Sequence, residues 1–155
     1  KQFEYPVYID FEAPDSTNKA GNTDAVIAFC KAMENAGYFV GVYASEISGF
    51  KERLDDSRLQ HISHWVARYG NRPTTISDKV FGIWQYSSKG SVAGISGNVD
   101  MDISYVEFPS IIKKAGLNGF AKHTENKPTP PVELTLEERV AALEEKINII
   151  LYKLG

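Results

Sequence analysis

The chain has 155 residues, a formal net charge of −3 and a hydrophobic fraction of 43%, enough for one folded domain with an appendage. No run of lysine or arginine occurs, which argues against nucleic acid as the main partner. Cys30 is the single cysteine, so no internal disulfide can form. No segment is apolar for long enough to span a membrane. Because the chain begins at Lys1 rather than methionine, its lack of a signal peptide carries no conclusion.

The first predicted strand ends in two closely spaced acids. Residues 5–11 are mostly β-branched, aromatic or apolar, which predicts a buried strand, and Asp10 and Glu12 project to the same face because strand side chains alternate. Crowding two carboxylates costs free energy unless one holds a proton while the other is ionised. The pair therefore indicates acid–base chemistry, and a solvated strand end with two ordinary surface acids is the alternative.

Strands and helices alternate along the next hundred residues. A helix is predicted from an N-cap at Thr23 to Gly37, a helical stretch from Phe50 to Leu59 with Leu54 also inward, and a short helix from Phe108 to Ala115. The further strands are predicted at residues 39–44, 63–69, 80–86 and 99–104. This order predicts an α/β fold with a parallel sheet.

Reactive groups of such folds gather at the carboxyl ends of the strands. Asp10 and Glu12 end the first strand, residues 84–86 (WQY) end the fourth, and Asp100 and Asp102 share one face of the fifth. We therefore expect these side chains to converge on one mouth.

The remaining reactive residue types favour structural roles. Cys30 falls within an apolar helical pattern, which is typical of a core residue rather than a catalytic thiol. A strand histidine such as His64 is more often hydrogen-bonded than a ligand, and the three histidines show no ligand spacing. The acids at positions 10, 12, 100 and 102 leave metal-dependent hydrolysis open as a weaker hypothesis.

The C-terminal segment differs from the rest. Residues 121–133 are charged and proline-rich, which predicts a linker, and a capping box at Thr135 opens an amphipathic helix over residues 134–155. The linker favours self-association of residues 134–154 over docking on the same domain. The helix carries a heptad stripe with Val140, Ile147 and Leu154 at a and Leu136, Leu143 and Ile150 at d.

Five motifs in order resemble strands of the glycoside hydrolase family 25 lysozymes. They are YPVYIDFE at 5–12, GVYAS at 41–45, WVARY at 65–69, GIWQYSS at 82–88 and GNVDMD at 97–102. The resemblance runs over residues 1–120 and implies a phage endolysin or bacterial autolysin. Such an enzyme acts on the cell wall, which it reaches by secretion or by release at lysis.

The resemblance implies a muramidase that needs no cofactor and cleaves the β-1,4 bond between N-acetylmuramic acid and N-acetylglucosamine in peptidoglycan. It implies that Glu12 is the general acid, that Asp10 orients the substrate's N-acetyl group or acts as nucleophile, and that Asp100 is the third active-site acid. Asp102 stands where many members have asparagine. Groove-lining positions of the family match Tyr43, Trp65, Gln85 and Asp102.

One departure from the family is large. Its barrel needs about eight strands, and the sequence predicts five. We therefore expect residues 1–120 to be the C-terminal five-strand part of a (β/α)-barrel, with an N-terminal barrel segment missing and an open edge at the first strand. A non-catalytic glycan-binding or coiled-coil assembly module is the alternative function.

Overall fold

The computed structural model describes residues 1–12 and 18–121, which form a five-stranded sheet with two α-helices. Two short helical turns follow β2: a π-helical turn at Glu46–Lys51 and a 3₁₀ turn at Asp56–Arg58. The strands are β1 (Val7–Asp10), β2 (Val40–Ser45), β3 (Ser63–Ala67), β4 (Phe81–Gly90) and β5 (Val99–Ser104), and the helices are α1 (Lys19–Asn35) and α2 (Phe108–Ala115).

The strands lie in the sheet in chain order. β1 to β4 run parallel, whereas β5 runs antiparallel to β4, so the prediction of a wholly parallel sheet was wrong at its last strand. The cause is the connection: residues 91–98 are fewer than the dozen or so that a parallel crossover needs.

One face of the sheet packs on α1 and forms the larger core. Val42, Ala44 and Val66 alternate inward along β2 and β3 and meet Val26 and Cys30 of α1. Burial raises the pKa of the Cys30 thiol to about 11, with the charge of Glu34 adding to the shift. Cys30 is therefore a core residue, as predicted.

The opposite face is covered only in part. Ile83 packs with Phe108 and Ile112 of α2, and the partly buried rings of Tyr8 and Trp65 extend this second cluster. The predicted bounds of α2 are confirmed, with Gly116 in a left-handed conformation at its end. The candidate site lies on this face, towards the carboxyl ends of the parallel strands.

Two helix predictions were wrong in detail. α1 begins at Lys19 with Asn18 as N-cap, because Thr23 instead donates to the carbonyl of Lys19 and accepts from the amide of Asp55. The predicted helix over 50–59 is replaced by the end of the π-helical turn and the separate 3₁₀ turn. Its three predicted inward residues are nevertheless buried: Phe50, Leu54 and Leu59.

The sheet is open among the residues that the structure describes. There β1 pairs only with β2 and β5 only with β4. Nearly all of the predicted linker and the whole heptad helix, from residue 122 onward, lie outside these residues. No helix within the described ranges is long and apolar enough to cross a membrane.

Candidate active site

The two acids stand where the strand pattern places them. Ile9 and Phe11 pack into the core against α1, so the alternating residues Asp10 and Glu12 emerge on the opposite face. The amide of Phe11 donates to the carbonyl of Tyr43 at 2.8 Å, which fixes the chain between the acids. Both acids are exposed, so their neighbours must distinguish them from ordinary surface residues.

The carboxylates are electrostatically coupled to each other and to Tyr43. Partial burial and then the negative charge of Glu12 raise the pKa of Asp10 above its ordinary value. Burial raises the pKa of Tyr43, and a hydrogen bond to Glu12 and the charge of that carboxylate raise it further. The Tyr43 phenol therefore stays protonated beside Glu12 at neutral pH.

Gln85 joins two phenols into one network. Its Oε1 accepts from the Tyr43 hydroxyl at 2.9 Å and from the Tyr69 hydroxyl at 3.2 Å. Gln85 is buried on β4, so its orientation is fixed from inside the sheet. The network runs from Glu12 through Tyr43 and Gln85 to Tyr69, and it connects the residues that follow β1 and β3 with side chains on β2 and β4.

Trp65 forms the second arm of the site. Its indole nitrogen donates to Asp102 Oδ1 at 2.7 Å, and its ring lies edge-on to Tyr43 with centroids 5.0 Å apart. Partial burial raises the pKa of Asp102, and the charge of Asp100 adds to this increase. The hydrogen bond from Trp65 acts in the opposite direction but does not cancel it. Tyr43 therefore links the Trp65 arm to the Glu12 arm.

Three predicted members of the mouth stand apart. Asp100 is exposed near the start of β5, and its described interaction is with the charge of Asp102 rather than with the first-strand acids. Trp84 points to the α1 side of the sheet, where its indole donates to the carbonyl of Arg68, and the Tyr86 ring packs against it with centroids 5.7 Å apart, so placing these two in the mouth was wrong. Strand alternation explains this, because Trp84 precedes Gln85 by one residue.

A cleft of about 440 Å³ opens beside Glu12 and Tyr43. Trp65 and Asp102 line a separate hollow of about 380 Å³ on the same face of the sheet. Four further residues line the first cleft together with Ala67, and no role was predicted for them from the sequence. They are Ser45, Ser48, Arg68 and Tyr69. Arg68 and Tyr69 directly follow β3, so their position at the carboxyl end of a strand could have indicated them.

The described ranges contain no group of three or more histidine, cysteine or acidic residues placed to hold a metal ion. His64 is instead buried on β3, between the carbonyl of Ile62 and the carboxylate of Asp56, each 2.7 Å from a ring nitrogen. The prediction of a hydrogen-bonded strand histidine is confirmed.

Comparison with known families places this architecture. The model of the glycosyl hydrolases family 25 matches residues 1–95. The chain belongs to glycosyl hydrolases family 25. Asp10 and Glu12 and their aromatic neighbours Tyr43, Trp65 and Tyr69 thus lie within the matched residues.

Related proteins of this family include lysozymes and endolysins. An autolytic lysozyme of Clostridium acetobutylicum is 36% identical over 74 residues, which are 48% of this chain and 22% of that protein. The crystal structure of the CTP1L endolysin, whose activity is regulated by a secondary translation product, matches at 31% identity and a TM-score of 0.56. The match covers 68% of this chain and 38% of the endolysin.

A bacterial lysozyme from Streptomyces coelicolor shares the fold, with a TM-score of 0.53 at 22% identity over 72% of this chain and 55% of that one. The chain thus spans 22% of the length of the autolytic lysozyme and 38% of that of the CTP1L endolysin.

Proposed function

We propose that this protein is a peptidoglycan hydrolase, an N-acetylmuramidase that cleaves the β-1,4 bond between N-acetylmuramic acid and N-acetylglucosamine. The observation that carries the proposal is the placement of Glu12 at the cleft, coupled to the Tyr43 phenol, in a chain of glycosyl hydrolases family 25. A carboxyl group beside a cleft lined by tyrosine rings suits the protonation of a glycosidic oxygen.

Glu12 is proposed as the general acid that donates its proton to the leaving oxygen. Asp10 either orients the substrate's N-acetyl group, whose oxygen then attacks the anomeric carbon, or attacks that carbon itself. Water completes the reaction, and Glu12 recovers its proton. Asp100 is proposed as a third acid that favours positive charge on the sugar ring, together with Asp102, whose carboxylate it faces electrostatically.

The groove is proposed to bind sugar rings through its aromatic and amide side chains. Trp65 offers an indole face held by Asp102, and Tyr43 offers a phenol held by Gln85. Aromatic faces of this kind pack on the apolar faces of sugar rings. Tyr69, which shares Gln85 with Tyr43, extends the same surface.

The active form is proposed to carry further strands that pair with β1. β1 is an edge among the described residues, and the face that holds Tyr8 and Trp65 is only partly covered by α2. Unpaired strand edges and exposed apolar faces are unstable arrangements that proteins cover. Residues 1–120 are thus proposed as the C-terminal part of the catalytic barrel, 121–133 as a linker, and 134–155 as a self-association or wall-targeting helix.

The direct test of function is product analysis. Peptidoglycan is digested with this chain, alone and joined to the segment of the Clostridium acetobutylicum lysozyme that precedes its matched stretch. The products are then reduced with borohydride and identified by mass spectrometry. A muramidase leaves reduced muramic acid at the new ends, whereas reduced glucosamine would contradict the proposed bond. A chelator should leave the rate of peptidoglycan cleavage unchanged. Loss of cleavage in the presence of chelator would favour the metal-dependent alternative.

A non-catalytic glycan-binding module is the second candidate, and the open edge of β1 is the observation that favours it. In that case the aromatic wall would bind sugar while no bond is cleaved. Sedimentation with purified cell walls separates the two: binding without release of reducing ends from either form of the protein would support the module. The proposed place of action in both cases is the bacterial cell wall, reached by secretion or by release at lysis.

A further inference from the structure

One charged residue of the cleft has no part in the mechanism above. Arg68 directly follows β3, and its side chain, 35% exposed, lines the cleft that also holds Glu12. Among the described residues that line this cleft it is the one cationic side chain. A cation beside a catalytic acid, in a site for a polymer that carries carboxyl groups, calls for a chemical explanation.

The guanidinium is held from behind by a buried acid. Arg68 Nη1 donates to the carboxylate of Glu46 at 2.5 Å, and Glu46 is 1% exposed. The same carboxylate accepts from the amides of Thr74 and Thr75 at 2.7 and 2.8 Å and from the Thr75 hydroxyl at 2.9 Å. Burial alone would raise the pKa of Glu46, but these hydrogen bonds outweigh it and hold the pKa below its ordinary value.

The backbone of Arg68 is fixed as well. Its amide donates to the carbonyl of Gln85 at 3.1 Å, and its carbonyl accepts from the indole of Trp84 at 2.8 Å. The side chain therefore starts from a rigid point one residue before Tyr69 and ends at the fixed charge of Glu46. Such a preorganised cation loses little freedom when it binds an anion.

Part of the guanidinium remains for a ligand. Its Nη1 contacts Glu46 and, at 3.4 Å, Thr74, while no acceptor for Nη2 or Nε is found within the described part of the chain. An arginine side chain has five N–H donors in a planar fork that fits a carboxyl group with two parallel hydrogen bonds. The geometry therefore leaves donors for an acidic substrate group in the cleft.

We infer that Arg68 is a specificity residue that binds the lactyl carboxyl group of muramic acid, and that Glu46 is its positioning residue. The inference rests on the proposed muramidase function. Muramic acid differs from N-acetylglucosamine by this lactyl ether, so a guanidinium in the cleft would distinguish the acidic wall glycan from neutral polymers of N-acetylglucosamine. The carboxyl oxygen can accept from Arg68 as a free carboxylate or as the carbonyl of a peptide amide.

A purely structural role makes a different prediction. If Arg68 only neutralised Glu46, the loss of Arg68 would loosen the cleft and weaken the binding of all glycans alike. If Arg68 binds the lactyl group, the loss of Arg68 weakens the binding of the acidic glycan alone. The ratio of the two affinities, rather than either affinity, therefore separates the roles.

The test compares two oligosaccharides of equal length by calorimetry at low temperature. One is a peptide-free wall glycan with free lactyl carboxylates, and the other is a chitin oligosaccharide. The proteins are the full chain and its Arg68→Gln, Arg68→Lys and Arg58→Gln variants. Arg58 is the matched control, since it also forms an ion pair, with Asp24 at 2.7 Å, but does not line the cleft.

Arg68→Gln should lower the affinity for the acidic glycan about 10-fold or more and leave the affinity for the chitin oligosaccharide within about 2-fold of the parent value. Arg68→Lys, which keeps the charge but loses the fork, should fall between Arg68→Gln and the parent, and Arg58→Gln should match the parent. Equal weakening of both glycans, or of neither, would overturn the inference and leave the function standing. A parent that binds neither glycan, both alone and joined to strands that pair with β1 as in the product analysis, would count against the proposed function itself.

Discussion

At the scale of single residues, Tyr43 connects the parts of the candidate site. Its phenol donates to Gln85, the carboxylate of Glu12 helps to raise its pKa, and its ring packs edge-on against Trp65. Tyr69 donates to the same Gln85 oxygen, and no described interaction with Glu12 accompanies it. Two phenols that share an acceptor but differ towards the proposed acid form a natural matched pair.

We expect Tyr43→Phe to slow release of reducing ends about 10-fold or more, because it removes a polar hydroxyl that is electrostatically coupled to the Glu12 carboxylate at the reacting centre. Tyr69→Phe, the control, should slow it no more than about 3-fold. The measurement is the initial rate on purified peptidoglycan, with circular dichroism to confirm folding. Equal losses in the two variants would show that Tyr43 acts only by holding Gln85.

The buried Glu46 predicts a pH dependence of stability. Because its pKa is lower in the folded than in the unfolded protein, ionised Glu46 stabilises the fold above the unfolded value of about 4.3. This stabilisation disappears as the pH falls through the unfolded and then the folded pKa.

Glu46→Gln should therefore lower the free energy of unfolding at pH 7 by about 1–3 kcal/mol, and its difference from the parent should shrink in acid. Glu52→Gln, at an exposed glutamate, is the control and should match the parent at both pH values. Urea unfolding at pH 7 and pH 3 gives the comparison, and a difference that grows in acid would contradict it.

The residues that the sequence could supply are those whose position follows from strand alternation. Asp10 and Glu12 were placed by the apolar residues beside them and Gln85 by its strand end, whereas Tyr43 and Trp65 came from the resemblance to the family. The pairing of Arg68 with Glu46 could not be found in this way, because it depends on the loop at Thr74 and Thr75 and on a turn geometry that no local pattern encodes.

At the scale of elements, the start of α1 shows where local rules fail. Thr23 has the residue type and the neighbours of an N-cap, but its hydroxyl links the helix to the amide of Asp55 instead. Local sequence cannot weigh a contact 32 residues away. The reversal of β5 follows the same logic, since the length of residues 91–98, not the strand sequence, sets its direction.

Thr23→Val should destabilise the fold by about 1–3 kcal/mol, because the amide of Asp55 loses its partner while the shape is kept. Thr23→Ser, which keeps the hydroxyl, should stay closer to the parent. Asn18→Ala should cost about 1 kcal/mol as the loss of a cap. Thermal unfolding of the three variants, followed by circular dichroism, measures these differences. If Asn18→Ala were as stable as the parent, Asn18 would not be the residue that caps α1.

At the scale of the whole molecule, residues 134–154 are predicted to self-associate through their heptad stripe. Leu143→Lys with Ile147→Lys, the seam variant, puts charge into the heptad stripe and should reduce the molar mass measured by light scattering. The molar mass of the parent should rise with protein concentration. Ala142→Lys with Asn148→Lys adds the same charge outside the stripe and should keep the parent mass. Identical masses for all three proteins would mean that the helix does not form the oligomer.

Self-association matters for function because the substrate is a polymer. Two or more wall-binding units on one particle would remain longer on a cell wall than a single unit. The seam variant should therefore bind whole walls less well while cleaving short soluble glycans at the parent rate. A seam variant that binds walls as the parent does would separate the tail from wall retention.

Glu12 is proposed to donate the proton in a muramidase reaction, and Glu12→Gln tests this role. The substitution keeps the shape of the side chain and removes the proton source. The assay measures reduced muramic acid released from peptidoglycan by the chain, alone or joined to strands that pair with β1, whichever form makes the parent active. We predict a rate loss of about 10²–10⁴-fold with folding unchanged. Release of muramic acid ends at nearly the parent rate by Glu12→Gln, or no such release by either parent form, would contradict it.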